Sequence, residues 1–316
     1  MLGGEPAGVS CTGCPAPPAA RGGATWCPCC AGERAERLFH ANASAVVAGQ
    51  VVRCRDCGLV FKSPIPTDEQ LTSLYEDSYV DSPFCDATAC RVGANPYLPM
   101  WAASLRVLER LSDTRRLCDI GCGAGAFLEH AMAAGWTAYG QEISPRLGQK
   151  AARRSGAEVL VGDIARLPVP EPRLPAITMF EVIEHVGRPV EFLRTVRSWL
   201  EPGGILVLST PNHASLIVRL AWVACRLTAC RFRSPLDGIY GGAHVLFFDS
   251  VSLARALEAA GFQLLQVTTM SRGYTGCELR PGLLLRASLW AADLASRVTR
   301  TEYGMLVFAR RSESSG

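Results

Sequence analysis

From Leu111 onward, short apolar runs alternate with segments of helical spacing. That is the pattern of a parallel sheet covered by helices. The runs predict strands over Arg116–Ile120, Ala138–Ile143, Val159–Val161, Ala176–Phe180 and Ile205–Thr210, with two more over Gln263–Thr269 and Tyr303–Ala309. Helices are expected between them over Ala124–Ala134, Pro189–Leu200 and Ser250–Ala260, with Gly135 and Gly261 just past two of these, where a left-handed C-terminal glycine belongs. Upstream, Pro64 to about Leu111 reads as helical. One helix follows Thr67, where Thr67-Asp68-Glu69-Gln70 resembles a capping box, and a second runs over Pro99–Leu111. Residues 1–25, rich in Gly, Ala and Pro without apolar periodicity, are expected to be a disordered tail.

The chain has 316 residues, 48% hydrophobic and 19% charged, which suits a globular protein of two domains or of one domain with an attachment. A net charge of +3 gives no reason to expect a nucleic-acid partner. The N-terminus lacks the basic and apolar regions of an export signal, and no uncharged apolar stretch reaches the length of a membrane span. The nearest, Ser215–Cys230, is interrupted by Arg219 and Arg226. A cytoplasmic location follows as the expectation.

The fourteen cysteines are uneven, with seven before residue 58. Without export a disulfide framework is not expected, so the cluster points to metal. Cys27/Cys30 and Cys54/Cys57 form two C-x-x-C knuckles, each able to present two thiolates from one turn, and together they suit a tetrahedral structural zinc. Gly58 supplies permissive backbone after the second knuckle. Cys29 could replace Cys30, and Cys11 with Cys14 could supply one pair. Cys118 and Cys122 read as small packing residues, and the remaining cysteines have no partner by spacing.

The richest segment is Asp119-Ile120-Gly121-Cys122-Gly123-Ala124-Gly125, a glycine turn between a strand and a helix. Such a turn lets backbone approach a cofactor at a helix N-terminus. With Glu142 at the end of the next strand it fits a dinucleotide site equally well. The acids separate the readings. Asp119 and Glu181 at strand ends would repel a pyrophosphate but suit a ligand carrying an ammonium and a sulfonium. Glu142 can accept from ribose hydroxyls and Asp163 from an adenine amine, with Ile143 and Ile164 sandwiching the base.

These residues, with Glu181-Val-Ile-Glu184-His185, Pro202-Gly-Gly204, Thr210-Pro-Asn212 and His244-Val-Leu-Phe-Phe-Asp249, resemble the successive motifs of class I S-adenosylmethionine-dependent methyltransferases across about residues 111–270. The cysteine module, with Pro64-Ile-Pro66, Leu74-Tyr75 and Tyr79, is similar to the zinc-ribbon leader of many bacterial members. The resemblance implies an α/β fold with a Rossmann-like seven-stranded sheet, helices on both faces and the last strand antiparallel. It also implies S-adenosylmethionine in the crevice, held by Asp119, Gly121, Cys122, Gly123, Gly125, Glu142, Ile143, Asp163, Ile164 and Glu181.

Glu181–His185 allows two chemistries. His185 can be a general base for a hydroxyl acceptor, oriented by Glu184. Alternatively Glu181, Glu184, His185 and His244 can hold Mg or another divalent ion, which looks like the ExxEH pattern of ubiquinone-pathway and small-RNA 3′-end methyltransferases. A purely structural His185 is the third reading. The domain layout expected is a tail (1–25), a zinc ribbon (26–62), a helical connector covering the substrate site (63–110), and a methyltransferase domain (111–316) with lid insertions near 212–245 and 272–300. Asn212, His213, Asp237, Tyr240 and His244 are polar candidates for a small-molecule substrate site, most simply one that is O-methylated. The arginine-studded stretch 214–233 could be a lid or touch an anionic membrane. An NAD-dependent oxidoreductase and a non-catalytic cofactor-binding or adaptor module are the rival classes.

Overall fold

In the computed structural model, which describes residues 26–41, 47, 49–78, 95–271 and 283–313, the apolar runs assemble into one seven-stranded sheet. Its strands are β4 (Arg116–Ile120), β5 (Thr137–Glu142), β6 (Val159–Val161), β7 (Leu174–Phe180), β8 (Leu200–Pro211), β10 (Phe262–Met270) and β11 (Gly304–Arg311). All seven predicted strands are present. β8 begins five residues earlier than expected, at Leu200, and runs straight on from the helix before it. The order is β10-β11-β8-β7-β4-β5-β6, and β11 alone runs antiparallel to both its neighbours. The central strands are apolar on both faces, as strands covered on both sides must be. Cys118, Ile120, Ile177, Met179, Leu206 and Leu208 enter one core, while Leu117, Ala176, Ile205 and Val207 enter the other.

Helices flank this sheet. α1 (Asp68–Ser78) starts in the capping box the sequence suggests, with Thr67 N donating to Gln70 Oε1 at 2.9 Å and Gln70 N to Thr67 Oγ1 at 3.3 Å. α2 (Leu98–Leu111), α3 (Ala126–Ala133), α4 (Pro145–Ser155), α5 (Pro189–Trp199) and α8 (Ser250–Ala259) follow the expected pattern. Gly135 and Gly261 both have left-handed backbone just past their helices.

The N-terminal module is built from β1 (Ala35–Ala41), β2 (Gly49–Cys54) and β3 (Val60–Ser63), an antiparallel sheet to which β9 (Leu246–Phe247) adds a fourth strand. The sheet therefore passes the expected boundary at residue 62 and takes a strand from beyond Leu111. Its alternating side chains separate: Val52, Leu59 and Phe61 join the main core with Leu253 and Leu257 of α8. Val51, Val60 and Phe39 pack against α6 (Leu216–Leu227) and α7 (Ser234–Tyr240). The expected tail, with Cys11 and Cys14, lies outside the described residues, as do 79–94 of the connector and 272–282 of the second insertion. The rest of that insertion is α9 (Leu283–Thr299).

Candidate active site

Local backbone chemistry makes the crevice beyond the strand ends. Past β4 the chain needs left-handed backbone at Gly121, Gly123 and Gly125 (φ +68°, +54° and +79°). A Cβ on Gly121 would sit 2.5 Å from Val182, and one on Gly125 would sit 2.7 Å from the Ala151 backbone of α4, so any side chain would push the loop away from its neighbours. Gly121 N and Cys122 N donate to Gln141 O at 2.8 and 3.0 Å. Gly123 N donates to Glu142 Oε2 at 2.8 Å, and Ser144 N to Glu142 Oε1 at 2.9 Å. Burial raises the Glu142 pKa, and these two amides work against that rise by favouring the carboxylate.

A cleft of about 180 Å³ opens here, lined by Gly121, Gly123, Glu142, Ile143, Asp163, Ile164, Glu181 and His185 among others. Seven of the ten residues expected around a cofactor thus share one wall. The other three do not. Asp119 is buried behind the loop, accepting from Thr178 Oγ1 at 2.7 Å, and burial with the neighbouring Glu142 pushes its pKa up to about 8. Cys122 is buried beside Gly140, and Gly125 faces α4. Strand-end position alone could not separate a crevice acid from one folded under the loop. The sequence also gave no sign of Gln141, whose Nε2 donates to Gly162 O at 2.7 Å and ties two crevice loops together. α1 closes one side of the cleft with Leu71, Thr72 and Tyr75.

At the other end, Glu181 adopts left-handed backbone (φ +58°) and accepts from Ser209 Oγ at 2.6 Å. The following single 3-10 turn, Ile183–His185, turns Glu184 inward, where it accepts from Thr210 Oγ1 at 3.0 Å and stands 4.0 Å from His244 Nε2. Glu184 thus faces Thr210 and His244, and His185 has a hydrogen bond with the Ala243 backbone. Burial lowers the His185 pKa, and the nearby Lys62 adds to that, so the imidazole is neutral near pH 7 and able to accept a proton. His185 and His244 meet edge to face, with centroids 4.8 Å apart.

Metal-ligating atoms of Glu184, His185 and His244 lie within 4.8 Å of one another. Glu181, expected as a fourth ligand, falls outside that group because its backbone aims it at Ser209. A second group consists of Cys27, Cys30, Cys54 and Cys57, also within 4.8 Å of one another, with Sγ contacts of 3.4 Å (Cys27–Cys57) and 3.6 Å (Cys30–Cys54). All four are free thiols. Matching turns present them: Ala31 N donates to Cys27 O and Gly58 N to Cys54 O, with left-handed backbone at Ala31 and Gly58. The set fits a closed zinc site. Cys29 is buried beside it but outside the group of four.

Of the other polar candidates, only His244 reaches this centre. Asn212 caps a turn through Ala214 N, His213 bonds to the buried Tyr240 hydroxyl at 2.7 Å, and Asp237 pairs with Arg233. Nor does α6 cover the cleft: Val218, Ala221 and Cys225 turn toward the protein interior, and Leu220, Val223 and Leu227 toward solvent.

A residue of the cysteine module completes the centre. Lys62 of β3 is fully buried, its Nζ donates to Gly242 O at 2.7 Å, and desolvation lowers its pKa to about 8. Its backbone N donates to Val245 O and Val245 N to Glu184 O, both at 2.9 Å, which joins the module to the 3-10 turn through two hydrogen bonds.

The sequence profile described as a methyltransferase domain matches residues 99–267. A ubiquinone biosynthesis O-methyltransferase of Caulobacter sp. (strain K31) is 33% identical over 114 residues, covering 34% of this chain and 44% of that protein. The protein of that name from Xanthomonas euvesicatoria pv. vesicatoria (strain 85-10) is 32% identical over 164 residues, covering 49% and 65%. The chain spans about half the length of the curated relatives it matches. Among solved structures, magnesium protoporphyrin IX methyltransferase from Synechocystis PCC 6803 with bound SAH aligns at a TM-score of 0.46 and 16% identity, covering 69% of this chain and 84% of that one.

Proposed function

The chain belongs to the methyltransferase-domain family, and from that premise we propose that it transfers a methyl group from S-adenosylmethionine to a hydroxyl of a small molecule, in the cytoplasm. One observation carries the reading: a single cleft runs from Glu142, its carboxylate fixed by two backbone amides, to His185, a neutral imidazole. When bound, S-adenosylmethionine supplies an electrophilic methyl group.

The chain's residues divide the remaining work. Glu142 accepts from ribose hydroxyls, Asp163 from the adenine amine, and Ile143 and Ile164 flank the base. Glu181 places negative charge near the cationic end, and Asp119, held protonated beneath the loop near pH 7, can give up its proton as that cation binds. His185 takes the acceptor's proton, because its lowered pKa leaves it unprotonated at neutral pH. α1 excludes water through Leu71 and Tyr75. Most of the rate gain comes from alignment, as expected for a direct displacement.

The test incubates the protein, labelled S-adenosylmethionine and a panel of hydroxylated aromatics, sugars and quinol precursors, and reads label transfer with gain of one methylene. Failure of the zinc-replete protein to bind S-adenosylmethionine in calorimetry overturns the reading.

A second reading, favoured by the grouping of Glu184, His185 and His244, places a divalent ion such as Mg there to hold substrate oxygens. Undiminished activity after chelation with ribbon zinc retained would remove it. Zinc at Cys27, Cys30, Cys54 and Cys57 is structural in either case, since four thiolates leave no open position. Exposed Leu220, Val223 and Leu227 beside Arg219 and Arg226 support peripheral contact with an anionic membrane, which liposome sedimentation tests.

A further inference from the structure

The end of α6 brings together two cysteines that sequence spacing left without partners. Cys225 lies on the buried face, packed with Ala221, Leu236 and Tyr240, while Cys230 is exposed. After α6 the chain turns back through two consecutive left-handed residues, Ala229 and Cys230 (φ +48° and +58°). Backbone hydrogen bonds close the turn, from Ala229 N to Arg226 O at 3.1 Å and from Cys230 N to Cys225 O at 2.6 Å. This geometry aims the Cys230 side chain at the helix, and the Cys225 thiol donates to Cys230 Sγ at 2.8 Å. Both are free thiols, outside the ribbon set of four and absent from the cleft lining.

We propose that Cys225 and Cys230 form a redox-active dithiol, a modification site that closes to a disulfide when the protein meets a low-molecular-weight disulfide. Exposure sets the order of events. The Cys230 thiolate attacks one sulfur of the oxidant, whose S–S bond breaks and whose other half leaves as a thiol after taking a proton. Cys225 then loses its proton and attacks the Cys230 sulfur, expelling the second half. The protein loses two electrons and two protons, and the oxidant leaves as two thiols. The surroundings suit this chemistry: Arg226 and Arg231 adjoin the two cysteines in sequence, and the Arg233 charge acts on Cys225. The Cys225 pKa is raised, first by its hydrogen bond with Cys230 and then by burial, which suits the resolving rather than the attacking role. Cys118 and Cys122, by contrast, are buried, and burial first and the Asp119 charge next raise their pKa.

The experiment exposes full-length, zinc-loaded protein to graded glutathione disulfide, caps remaining thiols with iodoacetamide and maps tryptic peptides. Trypsin cuts after Arg226, between the two cysteines, so the expected product is peptide 220–226 joined to peptide 227–231. It should form at an oxidant concentration at least ~10-fold below that which releases the ribbon zinc. In Cys230→Ser, a change at an exposed position, the joined product should vanish and Cys225 should be recovered capped. Separate capped peptides throughout, or a glutathione adduct persisting on Cys230 beside a capped Cys225, would overturn the proposal.

Discussion

Asp119 shows what a buried carboxyl costs the ligand-free fold. Its pKa of about 8, against about 3.9 for an unfolded aspartate, means the folded state holds a proton that the unfolded state releases. The stability of ligand-free protein is then greatest, as regards this group, below about pH 4, and falls as pH rises toward 8. Asp119→Asn keeps an acceptor for Thr178 and removes the buried charge. It is expected to raise the ligand-free melting transition at pH 8, by about 1–3 kcal/mol of stability, while weakening S-adenosylmethionine at least ~10-fold in calorimetry. Ala31 makes a smaller point. It holds the left-handed position that Gly58 fills in the other knuckle. Ala31→Gly should stabilise the zinc-loaded protein by about 0.5–1 kcal/mol in thermal unfolding.

Strands and helices were legible because burial on both faces writes continuous apolar runs, as in β7 and β8, and because caps such as Thr67-to-Gln70 are local. What escaped depends on contacts distant in sequence. Nothing near Asp119 distinguishes a crevice acid from one beneath the loop, since Thr178 decides it from another strand. Nothing near Glu184 announces Thr210 and His244. The role of α6 escaped for a similar reason, its apolar face being matched to a ribbon sheet. At this scale the glycine loop is the element most sensitive to one atom. Gly121→Ala would force Val182 aside and hold alanine in left-handed backbone. The expected result is a loss of about 1–3 kcal/mol in stability and at least ~10-fold in S-adenosylmethionine affinity, the latter read by calorimetry.

Across the molecule, the ribbon and the cleft share β9 and Lys62. Lys62→Met should therefore lower turnover about 10-fold or more through the 241–244 loop while leaving zinc content and S-adenosylmethionine affinity unchanged, as metal analysis and calorimetry would show. Stripping zinc should lower both turnover and the melting temperature, because β3 is tied to Val245 by its backbone. The cysteine-rich module is thus hydrogen-bonded to the segment that carries His244, although the spacing of its cysteines announces only a zinc site.

β11 carries a different consequence. It sits between β8 and β10 although it follows both in the chain. Until the ribosome has released residues 304–311, β8 has an open edge and β10 no partner. The nascent chain then carries unpaired backbone beside apolar side chains, the condition in which strands recruit the wrong neighbours. Synthesis of this protein should depend on protection of that edge, and ribosome-stalled chains lacking β11 are where chaperone contact is to be sought.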